Sequence, residues 1–380
     1  MSLGRLARFA FACLLAPWSA WAAEDIHLGA FLSSTGVMSL MGDPEKKALE
    51  LLVEQTNAKG GILGRPVRLT VYDDGSDPEK AVTAVKRLID NDRVDVIIGG
   101  SGTPTSMAVL PQVERAQIPY LSLGGGVGIV EPVRRWAFKI PHTDRMAAEK
   151  VLIDMQRRGV TRMALLSESV GFGKSGRDQV VRLAPSFGIE IVADETYAPK
   201  DADVTPQLTK IRSAAGAQAL FVFGTGQGPA VVTRNIRQLG VTMPVYQSHG
   251  VVSKDFLRLV GGAADGMRLP AFGMAIPDQL REGDPQKPVV MAFKKLFEER
   301  WKEEVAGFAG HSYDAYWVLM QAIERAGGTD KARVRDEIER TKGFVGTGGT
   351  FTMSPTDHLG LGLDAFHMVE VKNGDWSLLD

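Results

Sequence analysis

Val94-Asp95-Val96-Ile97-Ile98-Gly99-Gly100-Ser101-Gly102-Thr103-Pro104-Thr105-Ser106 is the stretch whose reading decides the fold. Val94 to Ile98 is a short run threaded with β-branched residues, the pattern of a strand in a sheet covered on both faces. Glycines then turn the chain, and the hydroxyl-rich segment from Ser101 to Ser106 leads into a helix. In sheets of this kind ligands sit beyond the carboxyl ends of the strands, on the loops that open helices. Hydroxyls and free backbone N–H groups at a helix N-terminus suit a carboxylate. The same residues would equally serve as an ordinary helix cap.

Working outward, the unit repeats on both sides. Ile26 to Phe31 reads as a buried strand and Val67 to Tyr72 as an alternating one. Between them Ala48, Leu49, Leu51, Leu52 and Val53 cluster at helical spacing, with Asp43 predicted as N-cap and Pro44 as first helical residue. Asn57 to Gly61 ends that helix on glycines. Asp73 to Pro78 makes a turn and a second cap, again with proline in the first helical position. Further strand-like runs lie at Pro119–Leu123, Met163–Ser167, Ile189–Glu195, Ala219–Phe223, Val245–Ser248 and Met267–Leu269. Helical patterns such as Gly173–Phe187 and Pro229–Leu239 separate them. This alternation means parallel sheets with right-handed crossovers.

The fold class is therefore α/β with two Rossmann-like lobes, which suits 380 residues at about 100–200 per domain. Pro141, after Phe138-Lys139-Ile140, marks the first passage between lobes. Helices at Pro288–Val305 and Ser312–Ala326 resume the style of the first lobe. The tail turns strand-like at Phe366–Val371 and Trp376–Leu379, a late return to the second lobe. The expected division is residues 23–141 with 272–348, and 142–271 with 349–380.

The first residues carry the marks of a secretory signal peptide. Arg5 and Arg8 precede an apolar run from Phe9 to Ala16, and Ala20-Trp21-Ala22-Ala23 supplies small residues for cleavage near Ala22. The run falls short of the ~20 residues that span a bilayer. Cleavage would remove Cys13, the only cysteine, so disulfides, thiolate metal sites and cysteine nucleophiles are not expected. The expected location is the periplasm. A net charge of −1 gives no reason to expect nucleic acid or anionic lipid as a partner.

From Ile26 onward the chain resembles the type I periplasmic binding proteins of the leucine/isoleucine/valine-binding family. The resemblance rests on residues 57–66 (Asn-Ala-Lys-Gly-Gly-Ile-Leu-Gly-Arg-Pro), Asp73 to Pro78, Val96 to Thr103, Gly171-Phe172-Gly173-Lys174, Tyr313-Asp314-Ala315-Tyr316 and Gly346-Thr347-Gly348-Gly349. No one of these is specific; their order and spacing are. The resemblance implies two α/β lobes joined by three crossovers, a cleft between them and hinge closure on a ligand. It also implies a membrane permease of an ABC importer as partner; nothing in the sequence demands more than a monomer, and no cofactor or metal is expected.

Residue by residue, the resemblance places the ligand carboxylate on Ser101-Gly102-Thr103 and on Ser122-Leu123-Gly124-Gly125-Gly126, with Thr103 and the amides of Gly124 and Gly126 as donors. The family usually offers a hydroxyl where Gly126 stands. Met41 occupies a place that is often aromatic and Phe172 one that is often tyrosine; either would serve as core instead. Amino-acid binders hold the ligand ammonium with an acid in the loop that here reads Gln247-Ser248-His249-Gly250, where His249 takes the acidic position. Thr225 replaces a usual aromatic. A buried ammonium lacking a carboxylate partner costs several kcal/mol. The expected ligand is thus an organic acid without an amino group, an aromatic acid being favoured. Alternatively Glu168 or Asp265 serves an ammonium and the ligand is a branched-chain amino acid.

Enzymatic chemistry finds no support. The six histidines form no H-x-x-x-H pair, and Asp357-His358 reads as part of a turn. Gly224-Thr225-Gly226-Gln227-Gly228 lacks the acid that a dinucleotide loop needs, and Gly99-Gly100-Ser101-Gly102-Thr103 is not a nucleophile elbow. A ligand sensor of the same fold is the remaining alternative to a transport receptor.

Overall fold

The computed structural model describes residues 24–379. The signal-peptide reading, its cleavage point and Cys13 lie outside the described residues.

Five strands, β1 (Ile26–Leu32), β2 (Val67–Asp73), β3 (Val96–Gly99), β4 (Tyr120–Ser122) and β5 (Ala137–Lys139), form a wholly parallel sheet in the order β2-β1-β3-β4-β5. All seven residues of β1 are buried, because helices cover both faces. Then follow β6 (Arg162–Glu168), β7 (Glu190–Tyr197), β8 (Ala219–Phe223), β9 (Val245–Gln247) and β10 (Arg268–Ala271). A small antiparallel pair, β11 (Phe344–Val345) with β12 (Thr350–Phe351), precedes β13 (His367–Lys372) and β14 (Asp375–Leu378). The second sheet runs β14-β13-β10-β9-β8-β6-β7. It is parallel from β7 to β10 and antiparallel where the returning tail adds β13 and β14.

The chain leaves the first sheet after β5 and returns after β10. Helices Gln286–Trp301 and Ala309–Ala326 then pack beside the first lobe's opening helix, with Tyr316 Oη donating to Thr56 Oγ1 at 2.7 Å. It crosses once more after β12 to reach β13. Among the described residues no helix is long and apolar enough to cross a membrane.

Two local expectations are corrected. The first helix spans Ser39–Ala58 and starts at Met38 with no side-chain cap, so Asp43 and Pro44 lie inside it. Pro44 gives up one intrahelical hydrogen bond there. The early start is set by tertiary packing: Gly42 lies against the Ser33 backbone more closely than any Cβ would allow. By contrast Asp77 caps its helix as expected, accepting from Glu79 N at 2.8 Å and Lys80 N at 3.2 Å. The second difference is β5, three buried residues that the sequence reading took only for the approach to a crossing.

Candidate functional site

The carboxyl ends of β1, β3 and β4 face those of β6, β8 and β9 across a narrow space, about 20 Å³ with the lobes as they stand here. The lobes touch around it. Thr225 Oγ1 lies 3.3 Å from Met41 Sδ. A Cβ on Gly125 would stand 2.6 Å from Phe172 Cε2, so glycine there lets the second-lobe ring close onto the first lobe.

Six of the nine expected residues line this space: Met41, Ser101, Thr103, Phe172, Thr225 and His249. Ser101 and Thr103 present their hydroxyls in a particular state. Ser101 Oγ accepts from Ser33 N at 3.1 Å and Thr103 Oγ1 from Gly126 N at 2.9 Å. Each oxygen already receives a backbone N–H, so each O–H remains to be donated, the Ser101 hydroxyl having the buried Glu45 carboxyl beside it. Thr103 is also the first residue of helix Thr103–Ala116, whose N-terminal dipole favours an anion.

Ser122, Gly124 and Gly126 stand one layer behind the wall, and Gly125 takes the lining position between them. The amides expected to reach the ligand are engaged within the protein. Gly124 N donates to Ser122 Oγ at 3.1 Å, and Gly126 N donates to Thr103 Oγ1. Ser122 in turn donates to Ser106 Oγ at 2.8 Å. A Cβ on Gly126 would meet Thr103 Cγ2 at 2.5 Å and its Oγ1 at 3.1 Å. The Thr103 side chain therefore fills the place that a side chain at 126 would take, and glycine at 126 is what admits it.

The remaining wall is largely apolar and was not foreseen: Met38, Leu123, Pro141 and Phe308, with His311 beside them. His311 appeared in the sequence only as one histidine among six, because the helix that carries it starts at Ala309 and not at Ser312.

Among the described residues lining the space, His249 and His311 are the ionisable ones. His249 is buried and edge-on to Phe172, with ring centroids 5.3 Å apart, and lies 5.0 Å from Phe366. Burial, helped by Lys139 and His311, holds its imidazole well below the ordinary histidine range, so it is neutral and offers one donor and one acceptor. Its Nδ1 has no partner.

Glu168 lies behind Thr225, with Oε2 accepting from Thr225 N at 3.3 Å. Burial pushes its carboxyl up to about 7. A folded-state value above the ordinary 4.5 means the folded protein holds this proton more tightly than the unfolded chain. The associated stability is complete below about pH 4.5 and is lost as pH rises towards 7. Glu168→Gln should therefore gain on the wild type by on the order of 2–3 kcal/mol between pH 5 and pH 8. Urea titrations at both pH values check this; a constant difference would mean Glu168 titrates normally.

The model for the periplasmic binding protein family matches residues 25–375. The chain belongs to that family. It is 27% identical over 369 residues to Leu/Ile/Val-binding protein homolog 3 of Brucella melitensis, covering 94% of this chain and 95% of that one. It is 24% identical over 389 residues to a leucine-, isoleucine-, valine-, threonine- and alanine-binding protein of Pseudomonas aeruginosa, covering 99% and 95%. Among solved structures, an extracellular ligand-binding receptor from Rhodopseudomonas palustris superposes with a TM-score of 0.87 at 28% identity, over 94% of this chain and 99% of that one. The fold is thus the type I periplasmic binding protein fold that the sequence implied. The chain is thus a periplasmic binding protein of the Leu/Ile/Val transporter type, a family whose members bind small ligands and work with ABC transporter permeases. Its relatives bind solutes and are not enzymes.

Proposed function

We propose that the protein captures a small organic acid without an amino group, with aromatic acids the leading class, and delivers it to its permease. The ligand carboxylate is held by the Ser101 and Thr103 hydroxyls at the start of helix Thr103–Ala116. Met41 and Phe172 grip the apolar body, while Thr225 and His249 close from the second lobe. Ser122, Gly124 and Gly126 support the carboxylate loop from behind. We assign residues 23–141 with 272–348 to the first lobe and 142–271 with 349–380 to the second, the lobes rotating about the crossings as they close.

One observation carries this reading. No carboxylate stands among the described residues lining the space, and an ammonium buried there would have only neutral imidazoles for company. The competing reading, a branched-chain amino acid, draws on the names of the relatives and on Glu168 one layer behind Thr225. A thermal-shift screen decides. Leucine, isoleucine and valine are compared with benzoate, 4-hydroxybenzoate, cinnamate and short aliphatic acids. A ligand at about 100 times its Kd adds about 2.7 kcal/mol of stability. Stabilisation by the organic acids alone is expected; stabilisation by the amino acids alone sinks the proposal.

A further inference from the structure

Glu45 and His311 meet at the first-lobe wall of the ligand space, from helices Ser39–Ala58 and Ala309–Ala326. Glu45 is 0% exposed and His311 3% exposed. Neither ring nitrogen of His311 has a hydrogen-bond partner, and the Glu45 carboxyl has only the Ser101 hydroxyl beside it. His311 Nδ1 stands 4.0 Å from Glu45 Oε1. Buried polar groups in folded proteins are overwhelmingly paired, so an unpaired imidazole beside a poorly paired carboxyl calls for a reason. A histidine serving only as core would be satisfied by its neighbours. This one instead borders the space between the lobes and is clamped by Phe272 and Phe308, at ring-centroid distances of 4.9 and 5.6 Å.

We propose that His311, positioned by Glu45, is a second polar anchor for the ligand, which therefore carries a further hydrogen-bond-accepting group (a phenol oxygen, a ketone or a second carboxylate) besides the carboxylate held by Ser101 and Thr103. The inference rests on the organic-acid reading and narrows it to bifunctional acids. The protonation pattern agrees with it. Burial raises the Glu45 carboxyl well above its ordinary value, the Ser101 hydroxyl opposing and Asp74 adding to the rise. Burial, with the charge of Lys139, lowers His311 to about 3. His142 and His249, the other titratable groups facing it, are likewise held neutral by burial. His311 is thus neutral at pH 7, and burial favours the protonated form of Glu45. A neutral imidazole carries one N–H, and in the Nε2–H tautomer that group is the donor towards the ligand.

The test is isothermal titration of the mature chain at pH 7 with two matched pairs, benzoate against 4-hydroxybenzoate and butyrate against succinate. The bifunctional member of at least one pair should bind about tenfold tighter or better, a difference of about 1.4 kcal/mol. His311→Phe should bring that pair to within about threefold, the ratio within the pair being read whatever the shift common to both acids. His311→Gln, which restores an N–H donor, should recover part of the preference, and melting curves confirm that both variants fold. Equal affinity within both pairs in the wild type, or a preference that survives His311→Phe, overturns the inference and leaves the organic-acid reading standing. Binding of branched-chain amino acids alone overturns both. Binding of no member of either pair counts against the second anchor as well.

Discussion

Replacing Asp314 with alanine should lower the stability of the mature chain by about 3–5 kcal/mol, the largest single-residue loss we expect outside the apolar core. Asp314 is fully buried on helix Ala309–Ala326 and fastens the last return of the chain. Oδ1 accepts from Thr347 N at 2.6 Å; Oδ2 accepts from Gly348 N at 2.8 Å and lies 3.1 Å from Thr347 Oγ1. The loop is drawn tight against it, Gly346 N donating to Gly349 O at 2.8 Å, and a Cβ at 346 would run into the carboxylate. Truncation leaves two buried amides without acceptors, at about 1–3 kcal/mol each. Asp314→Asn keeps the shape but turns an NH2 towards these donors, so it should cost nearly as much. Urea unfolding followed by circular dichroism measures both. A midpoint that barely moves in either variant, with unchanged slope, would show that the carboxylate does not hold this loop. The segment it fastens also borders the hinge, since a Cβ on Gly348 would come within 3.7 Å of His142 Cε1 on the first crossing. Weakened ligand affinity in both variants follows if the crossings must keep their spacing for closure.

What the sequence revealed and what it hid divide along a physical line. Runs such as Ile26–Leu32 and Ala219–Phe223 are legible because a strand buried on both faces must be apolar throughout. The Asp77-Pro78 cap is legible because its hydrogen bonds are local. Asp43-Pro44 carries the same local signal, yet the helix starts five residues before Pro44, since the contact of Gly42 with Ser33 spans separate elements and leaves no mark in the spacing. The site divides likewise. Ser101 and Thr103 follow from their place at a strand end. The Gly126 amide was expected to serve the ligand because nothing in the sequence tells that Thr103 Oγ1 takes it first. His311 and Glu45, 266 positions apart in the chain, become neighbours only when the late helices return to the first lobe.

His249→Glu should reverse the ligand preference. The imidazole lines the space from the second lobe, boxed by Phe172 and Phe366, with His142 at a ring-centroid distance of 6.4 Å. A neutral imidazole offers one donor and one acceptor and carries no charge with which to attract or repel. A carboxylate in its place removes that donor and faces the ligand's own negative end. Affinity for the organic acid that binds the wild type should fall about 100-fold, or about 2.7 kcal/mol. The same carboxylate would give an α-ammonium the partner that the wall lacks, so affinity for leucine should rise about tenfold. His249→Ala separates the two effects, because it deletes the donor without adding charge: organic acids should weaken and leucine should gain nothing. Titration calorimetry on the three proteins reads all of this. If leucine gains with His249→Glu alone, the histidine is what keeps ammonium ligands out. If neither substitution moves any affinity, the loop after β9 does not touch the ligand. Specificity would then have to come from the first-lobe wall, where Ser101, Thr103 and His311 remain.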